Sequence, residues 1–272
     1  MTDRYAVIGR PINHTKSPLI HGLFAATTGQ DLKYGAIEGS PKDFADDVQR
    51  FRAQGGQGLN VTAPFKLQAF QLATESSERA RLARAANALK FEGERVLAEN
   101  FDGIGLLRDI EVNLGQPLAG KRVLLLGAGG AVRGALLPLL AAEPTELVLV
   151  NRDGQKATAL AQEIDHPLLS LKSYAALEGE TFDLVINATS ASLVGELPPV
   201  PAGVFAQAAL AYELAYGKGL TPFLRLAREQ GVPQLADGVG MLVEQAAEAF
   251  AWWRGVRPET RAVIDQLTIP LQ

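Results

Sequence analysis

The chain has 272 residues, 47% hydrophobic and 21% charged, which is enough apolar material for two packed domains of roughly 100–170 residues each and argues against disorder. A net charge of -4, with no run of five basic residues, gives no general attraction to a phosphodiester backbone, so nucleic acid is not an expected partner. There is no cysteine, and the apolar run Tyr5-Ala6-Val7-Ile8 is far too short for a signal sequence or a membrane span, so a cytoplasmic enzyme is expected.

Short β-rich runs alternate with helical patterns from the first residues. Strands are predicted at 5–9, 34–37 and 58–61 and helices at 17–28 and 41–54, an alternation that builds a mainly parallel α/β sheet. A hairpin follows, with arms 88–91 and 95–98 turning at Glu92-Gly93-Glu94, so that Asn87 and residues 100–102 finish at the same end. A helical segment at 103–114 leads into Gly115-Gln116-Pro117, and the domain boundary is placed near 103–117. Beyond it the order is strand 121–126, glycine turn, helix to 142, strand 146–150, helix 155–164 and strand 182–187, which is a βαβαβ half of a dinucleotide-binding fold. After Asp237-Gly238 a helical pattern at 241–254 is expected to return to the first domain, with Trp252 and Trp253 packing it. The expected division is therefore a substrate-binding and catalytic α/β domain at 1–102, completed by helices at 239–272, and a Rossmann-type domain at 103–238, with a cleft between them.

Two chemistries find no support. His14, His21 and His166 are scattered and form no i, i+4 pair with another ligand, so no metal is expected, and no G-x-S-x-G turn marks a serine hydrolase.

The glycine turn is the most specific motif. Gly127-Ala128-Gly129-Gly130-Ala131 follows the apolar strand Val123-Leu124-Leu125-Leu126 and opens a helix. The first glycine permits the tight turn, the second lets backbone N–H groups approach a pyrophosphate, and the helix start supplies partial positive charge. At the end of the next strand, where an NAD site carries an acidic residue, this chain reads Asn151-Arg152-Asp153. Arg152 can stack on adenine and pair with a 2′-phosphate, with Lys156 as a second cation, which favours NADP(H). Asp153 argues mildly the other way unless it serves as a helix N-cap.

A second constellation lies in the first domain. In Asn60-Val61-Thr62-Ala63-Pro64-Phe65-Lys66 the proline sits where a helix would begin, so Lys66 falls in its first turn, a place unfavourable for a cation without a carboxylate partner. Asp102, at the open end of the hairpin, is the candidate partner, and it can also cap the helix that follows. Asn60, Thr62, Asn87 and Asn100 gather near the same strand ends, while Thr15 and Ser17 follow the first strand. Neutral donors and acceptors outside strand C-termini suit a polyhydroxylated molecule bearing a carboxylate.

Taken together, Val7-Ile8-Gly9, Thr15-Lys16-Ser17-Pro18, the Asn60 to Lys66 segment, Asn100-Phe101-Asp102-Gly103, the glycine turn, Asn151-Arg152, Asn187-Ala188-Thr189-Ser190 and Asp237-Gly238-Val239-Gly240-Met241-Leu242 resemble the shikimate dehydrogenase family, in order and over essentially the whole chain. The resemblance implies NADPH-dependent reduction of 3-dehydroshikimate to shikimate in the pathway to the aromatic amino acids, with Lys66 and Asp102 as the catalytic pair. It implies a carboxylate site at Thr15 and Ser17, ring-hydroxyl contacts at Asn60, Thr62, Asn87 and Gln245, and Tyr216 reaching in from the cofactor domain. For the cofactor it implies Gly127, Ala128, Gly129, Gly130, Ala131, Asn151, Arg152, Lys156, Thr189 and Gly238. The expected partners are the small-molecule substrate and NADP(H), in a monomer or homodimer, with no membrane.

The departures from the family pattern bear on substrate and cofactor preference. Asn-Thr reads Asn87-Ala88, Asn-Thr-Asp-Gly reads Asn100-Phe101-Asp102-Gly103, Tyr-Asp reads Tyr212-Glu213, Asn-Arg-Thr reads Asn151-Arg152-Asp153, and the first Ser of Ser-x-Ser is Thr15. Two alternatives stay open at this stage. One is an enzyme of the same fold acting on quinate or an aminated analogue; the other is a catalytically idle NADP-binding regulator, against which the Lys66 and Asp102 pair speaks.

Overall fold

In the computed structural model, which describes residues 2–271, the apolar runs form two six-stranded sheets. The first contains β1 (Asp3–Gly9), β2 (Leu32–Glu38), β3 (Gly56–Val61), β4 (Glu75–Ser76), β5 (Ala88–Glu92) and β6 (Arg95–Glu99), in the order β2-β1-β3-β5-β6-β4. Helices α1 (Ser17–Thr28), α2 (Phe44–Ala53), α3 (Lys66–Leu72) and α4 (Glu78–Ala83) connect these strands, and α5 (Asp102–Arg108) leaves them. β1 lies between β2 and β3 in parallel, and its last five residues are buried, which is why it reads as an unbroken apolar run. β5 and β6 form the expected hairpin; Ala88 pairs with Glu99, and the Asn87 N–H donates to the Glu99 carbonyl at 3.0 Å. That register brings Asn87 to the same end as residues 100–102.

The second sheet is wholly parallel, with β7 (Arg122–Leu126), β8 (Glu146–Val150), β9 (Leu169–Lys172), β10 (Leu184–Asn187), β11 (Leu210–Glu213) and β12 (Gln234–Asp237) in the order β12-β11-β10-β7-β8-β9. This is the doubly wound order, whose switch point between β7 and β10 is where such sheets bind dinucleotides. α6 (Gly130–Ala141), α7 (Gly154–Ile164) and α8 (Pro222–Glu229) accompany it, and α9 (Val239–Arg254) and α10 (Arg261–Leu267) close the chain. The expected third strand of the βαβαβ half, 182–187, is β10, which pairs with the other edge of β7; the strand that completes that half is β9, beside β8. β9, β11 and β12 are four residues each and carry Ser, Lys, Glu, Gln or Asp, so their period is too short to stand out.

The chain divides into two units, Met1–Gly105 with Val243–Val263 and Leu106–Leu242 with Ile264–Gln272. The sequence places all of 239–272 with the first domain; in the structure the last segment clusters with the second, where Leu271 packs against the core cluster that includes Phe182 and Phe205. The helix expected at 103–114 is α5 followed by a π-helical turn, Asp109–Asn113, where the Asp109 carboxylate accepts from the buried Tyr212 hydroxyl at 2.7 Å. Among the described residues no helix is long and apolar enough to cross a membrane.

In the first unit, α9 supplies Phe250 and Trp253 to the core. Trp253 stacks on Tyr5 with centroids 4.8 Å apart and donates its indole N–H to the Leu89 carbonyl at 3.0 Å. Phe101 is buried there with Tyr5, Ala88 and Ala249, its ring meeting Trp252 edge-on at 5.8 Å. His21 is buried beneath this layer and stacks flat on Tyr34 at 4.1 Å; neither ring nitrogen makes a hydrogen bond, and burial pulls its pKa down to about 3 against a smaller opposing pull from Asn60.

Candidate active site

Three strand ends and one helix position the first unit's polar side chains. Lys66 opens α3, just beyond β3, and its ammonium lies 2.6 Å from Asp102 Oδ2. Asp102 opens α5, where Asn100 Oδ1 accepts its backbone N–H at 3.1 Å; Asn100 in turn donates to the Ala85 carbonyl at 3.0 Å. The ammonium keeps 29% of its side chain exposed and Asp102 only 9%, so the pair is held on the carboxylate side and open on the amine side. Two of the three ammonium hydrogens remain for a ligand.

Asn87 organises the rest. Its Nδ2 donates to Asp102 Oδ1 at 2.8 Å and to Gln245 Oε1 at 3.2 Å, while its Oδ1 accepts the Phe101 N–H at 2.8 Å. Both amide hydrogens are thus spent, and a ring hydroxyl could only donate to the remaining lone pair. Asn87 thus ties Asp102 to Gln245. Asn60 accepts from the Tyr34 hydroxyl at 2.6 Å and donates to the Asn87 carbonyl at 3.4 Å, which turns its one free hydrogen toward any acceptor. Burial holds the Tyr34 phenol well above its ordinary pKa, so it serves as a donor, and it also lies against Ser17. Thr15 Oγ1 donates to Ser17 Oγ at 3.2 Å, pairing the two hydroxyls expected to meet a carboxylate. The Thr62 hydroxyl has no hydrogen-bond partner among the described residues.

The second unit holds a cavity of about 560 Å³ over the switch point, lined by Gly127, Ala128, Gly129, Gly130, Ala131, Asn151, Arg152, Asp153, Lys156 and Thr189, with residues 196–199 on the far wall. Gly127 has φ +117°, and a Cβ there would stand 3.0 Å from the Ala188 carbonyl oxygen, so only glycine lets the two turns approach. The first turn of α6 has no side-chain cap, which leaves its N–H groups for a ligand. Arg152 and Lys156 form no ion pair with any described residue. The uncapped helix start, the glycine cradle and two unpaired cations fit a phosphate-rich dinucleotide. Asp153 caps α7, accepting the Lys156 N–H at 3.2 Å, so its carboxylate is turned to the helix.

Two further expected residues are not among those lining this cavity. Gly238 does not line the cavity; a Cβ there would lie 2.1 Å from the Leu214 carbonyl oxygen, so close packing accounts for this glycine. Tyr216 follows β11 in the second unit and is 41% exposed. Sequence reasoning missed Tyr34, and it met Asn187 only within the Asn187-Ala188-Thr189-Ser190 motif, with no role of its own. Tyr34 sits on a half-buried strand and carried no motif; Asn187 ends an interior parallel strand, a position that itself points to a site.

Residues 7–89 match the model of the shikimate dehydrogenase substrate binding domain, 110–194 that of shikimate / quinate 5-dehydrogenase, and 238–268 that of the shikimate 5'-dehydrogenase C-terminal domain. A shikimate dehydrogenase (NADP(+)) of Nitrosospira multiformis is 55% identical over 268 residues, covering 98% of each chain. The crystal structure of an Ael1 enzyme from Pseudomonas putida is 74% identical with a TM-score of 0.98, covering 99% of this chain and 100% of the other. Shikimate 5-dehydrogenase from Thermus thermophilus, solved with NADP(H) and shikimate, is 29% identical with a TM-score of 0.87, covering 97% of both chains.

Proposed function

The chain belongs to the shikimate dehydrogenase family, and from that premise we propose that it interconverts 3-dehydroshikimate and shikimate with NADP(H), Lys66 and Asp102 forming the proton-transfer pair. The single observation that carries this reading is the 2.6 Å contact between Lys66 and a buried Asp102 held by Asn87, beside a bonded Gln245.

When bound in the second unit's cavity, the nicotinamide supplies or accepts the hydride. The oxyanion left by ketone reduction must gain a proton, and Lys66 delivers it from Nζ; in oxidation the amine takes it back. Asp102 holds Lys66 in place and accepts from a neighbouring ring hydroxyl, a double duty made possible by its two differently bonded oxygens. Gln245 and the free Asn60 hydrogen orient the remaining hydroxyls, and Thr15 and Ser17 receive the carboxylate. Arg152 and Lys156 select the 2′-phosphate, while Asp153, committed to its helix, does not oppose them.

The departures from the family pattern do not favour another substrate. Ala88 and Phe101 face the first unit's aromatic core, and Glu213 is buried in the second. An idle binder is disfavoured by the intact pair.

The test is a steady-state comparison of shikimate and quinate oxidation with NADP⁺ and NAD⁺. Shikimate with NADP⁺ is expected to give the highest kcat/KM, and Lys66→Met to lower kcat by about 10²–10⁴ with KM changed only a few-fold. No turnover of either substrate, or a Lys66→Met enzyme with most of its kcat, refutes the reading.

A further inference from the structure

Glu213, the last residue of β11, is fully buried and has no cationic partner among the described residues. Burying a bare carboxylate is costly unless donors replace water. Here four converge: Asn187 Nδ2 at 2.9 Å, the Ser192 hydroxyl, the Thr221 hydroxyl at 3.2 Å and the Ala215 N–H at 3.3 Å. Burial raises the carboxyl above its usual range and the four donors pull it back. Nothing in the proposed chemistry touches this group, so its expense calls for another purpose.

Asn187 shows what that purpose is. Its other amide atom, Oδ1, accepts both the Thr189 N–H at 3.1 Å and the Thr189 hydroxyl at 2.8 Å, and residues 188–191 line the dinucleotide cavity opposite the glycine turn. An asparagine amide can rotate by half a turn, and the reversed form would set its NH₂ against the Thr189 N–H. The carboxylate of Glu213 forbids that, because it demands a donor. Ser192, the second donor, ties the other end of the same loop to the same carboxylate.

We propose that Glu213 is a positioning residue for the cofactor loop: it locks the Asn187 amide and so sets the wall formed by Ala188, Thr189 and Ser190. The inference rests on the reading that this cavity holds NADP(H).

The test is titration of the purified full chain with NADPH, together with KM values for NADP⁺ and shikimate. Glu213→Ala is expected to weaken NADPH binding about tenfold or more, the effect of leaving one or two buried amide groups unpaired, with shikimate KM within twofold. A merely structural role would shift both KM values alike, and that result overturns the proposal. Should Glu213→Ala fail to fold, Asn187→Asp places a second carboxylate against Glu213 and is expected to weaken NADPH at least as much. Adding Glu213→Gln to Asn187→Asp reverses donor and acceptor while leaving Thr189 its acceptor, and is expected to recover most of the affinity. Wild-type affinity in Asn187→Asp, or no recovery in the double variant, overturns the proposal while leaving the proposed function intact. Absence of NADPH binding by the unaltered chain overturns both.

Discussion

Phe101→Ala tests how the catalytic end of the hairpin is held. The Phe101 ring is 4% exposed and packs among Tyr5, Ala88, Ala249 and Trp253, with Trp252 edge-on. Two of those neighbours are alanines on rigid elements that cannot move in to fill a void, so the upper part of the usual range for a buried phenylalanine applies, about 3–5 kcal/mol. Trp252 lies toward the surface and can relax, which sets the lower end. The chain's two tryptophans both belong to the first unit, so intrinsic fluorescence in a urea titration reads that unit selectively. The expected result is a fluorescence midpoint shifted by that amount, with the far-ultraviolet signal of the second unit's helices shifted less. Since the Phe101 N–H is bonded to Asn87 Oδ1, loosening this residue also frees the amide that aims Asp102, and kcat should fall with stability. A loss below about 1 kcal/mol would show that the ring does not fill the core and that the packing argument is wrong.

Two other expectations follow from single residues. Arg152→Ala should weaken NADP⁺ by about 1.5–3 kcal/mol, the worth of a charge-assisted contact, and leave NAD⁺ nearly unchanged; equal losses in the two titrations would reduce Arg152 to an adenine stack. His21 has a folded pKa of about 3 against 6.5 when unfolded, so acid favours the unfolded chain: its contribution is complete above pH 6.5 and is lost toward pH 3, at about 1.4 kcal/mol per pH unit. His21→Leu should flatten the acid side of the stability curve between pH 6.5 and 4, and an unchanged slope in urea titrations would refute this.

The readable parts of the molecule were those where local chemistry and long-range geometry agree. The glycine turn was legible because three constraints fall within five residues after an apolar strand, and the hairpin because its turn fixes the register that unites Asn87 with Asp102. What the sequence did not reveal was how far hydrogen-bond capacity is already consumed. Asn87 reads as a free amide until its two hydrogens are found on Asp102 and Gln245, Asp153 reads as a repulsive charge until its cap is seen, and nothing in the sequence shows the Leu214 carbonyl lying against Gly238. Such partners come from residues far apart along the chain, and no short motif carries them.

The way the chain is divided has a bearing on how it is made. The strands of the second unit occupy one uninterrupted stretch, but the first is finished only by residues from 243 onward, and Arg254 closes it by bonding to Asp3 and Tyr5, 251 and 249 positions away. At about 5–20 residues per second, roughly 7–30 s of synthesis separate the two parts of the first unit. During that interval Tyr5 lacks Trp253, and His21 and Phe24 lack Phe250. The amino-terminal part therefore waits with an apolar aromatic face uncovered until residues 243–263 have been made, whereas all six strands of the second sheet have been synthesised once β12 emerges.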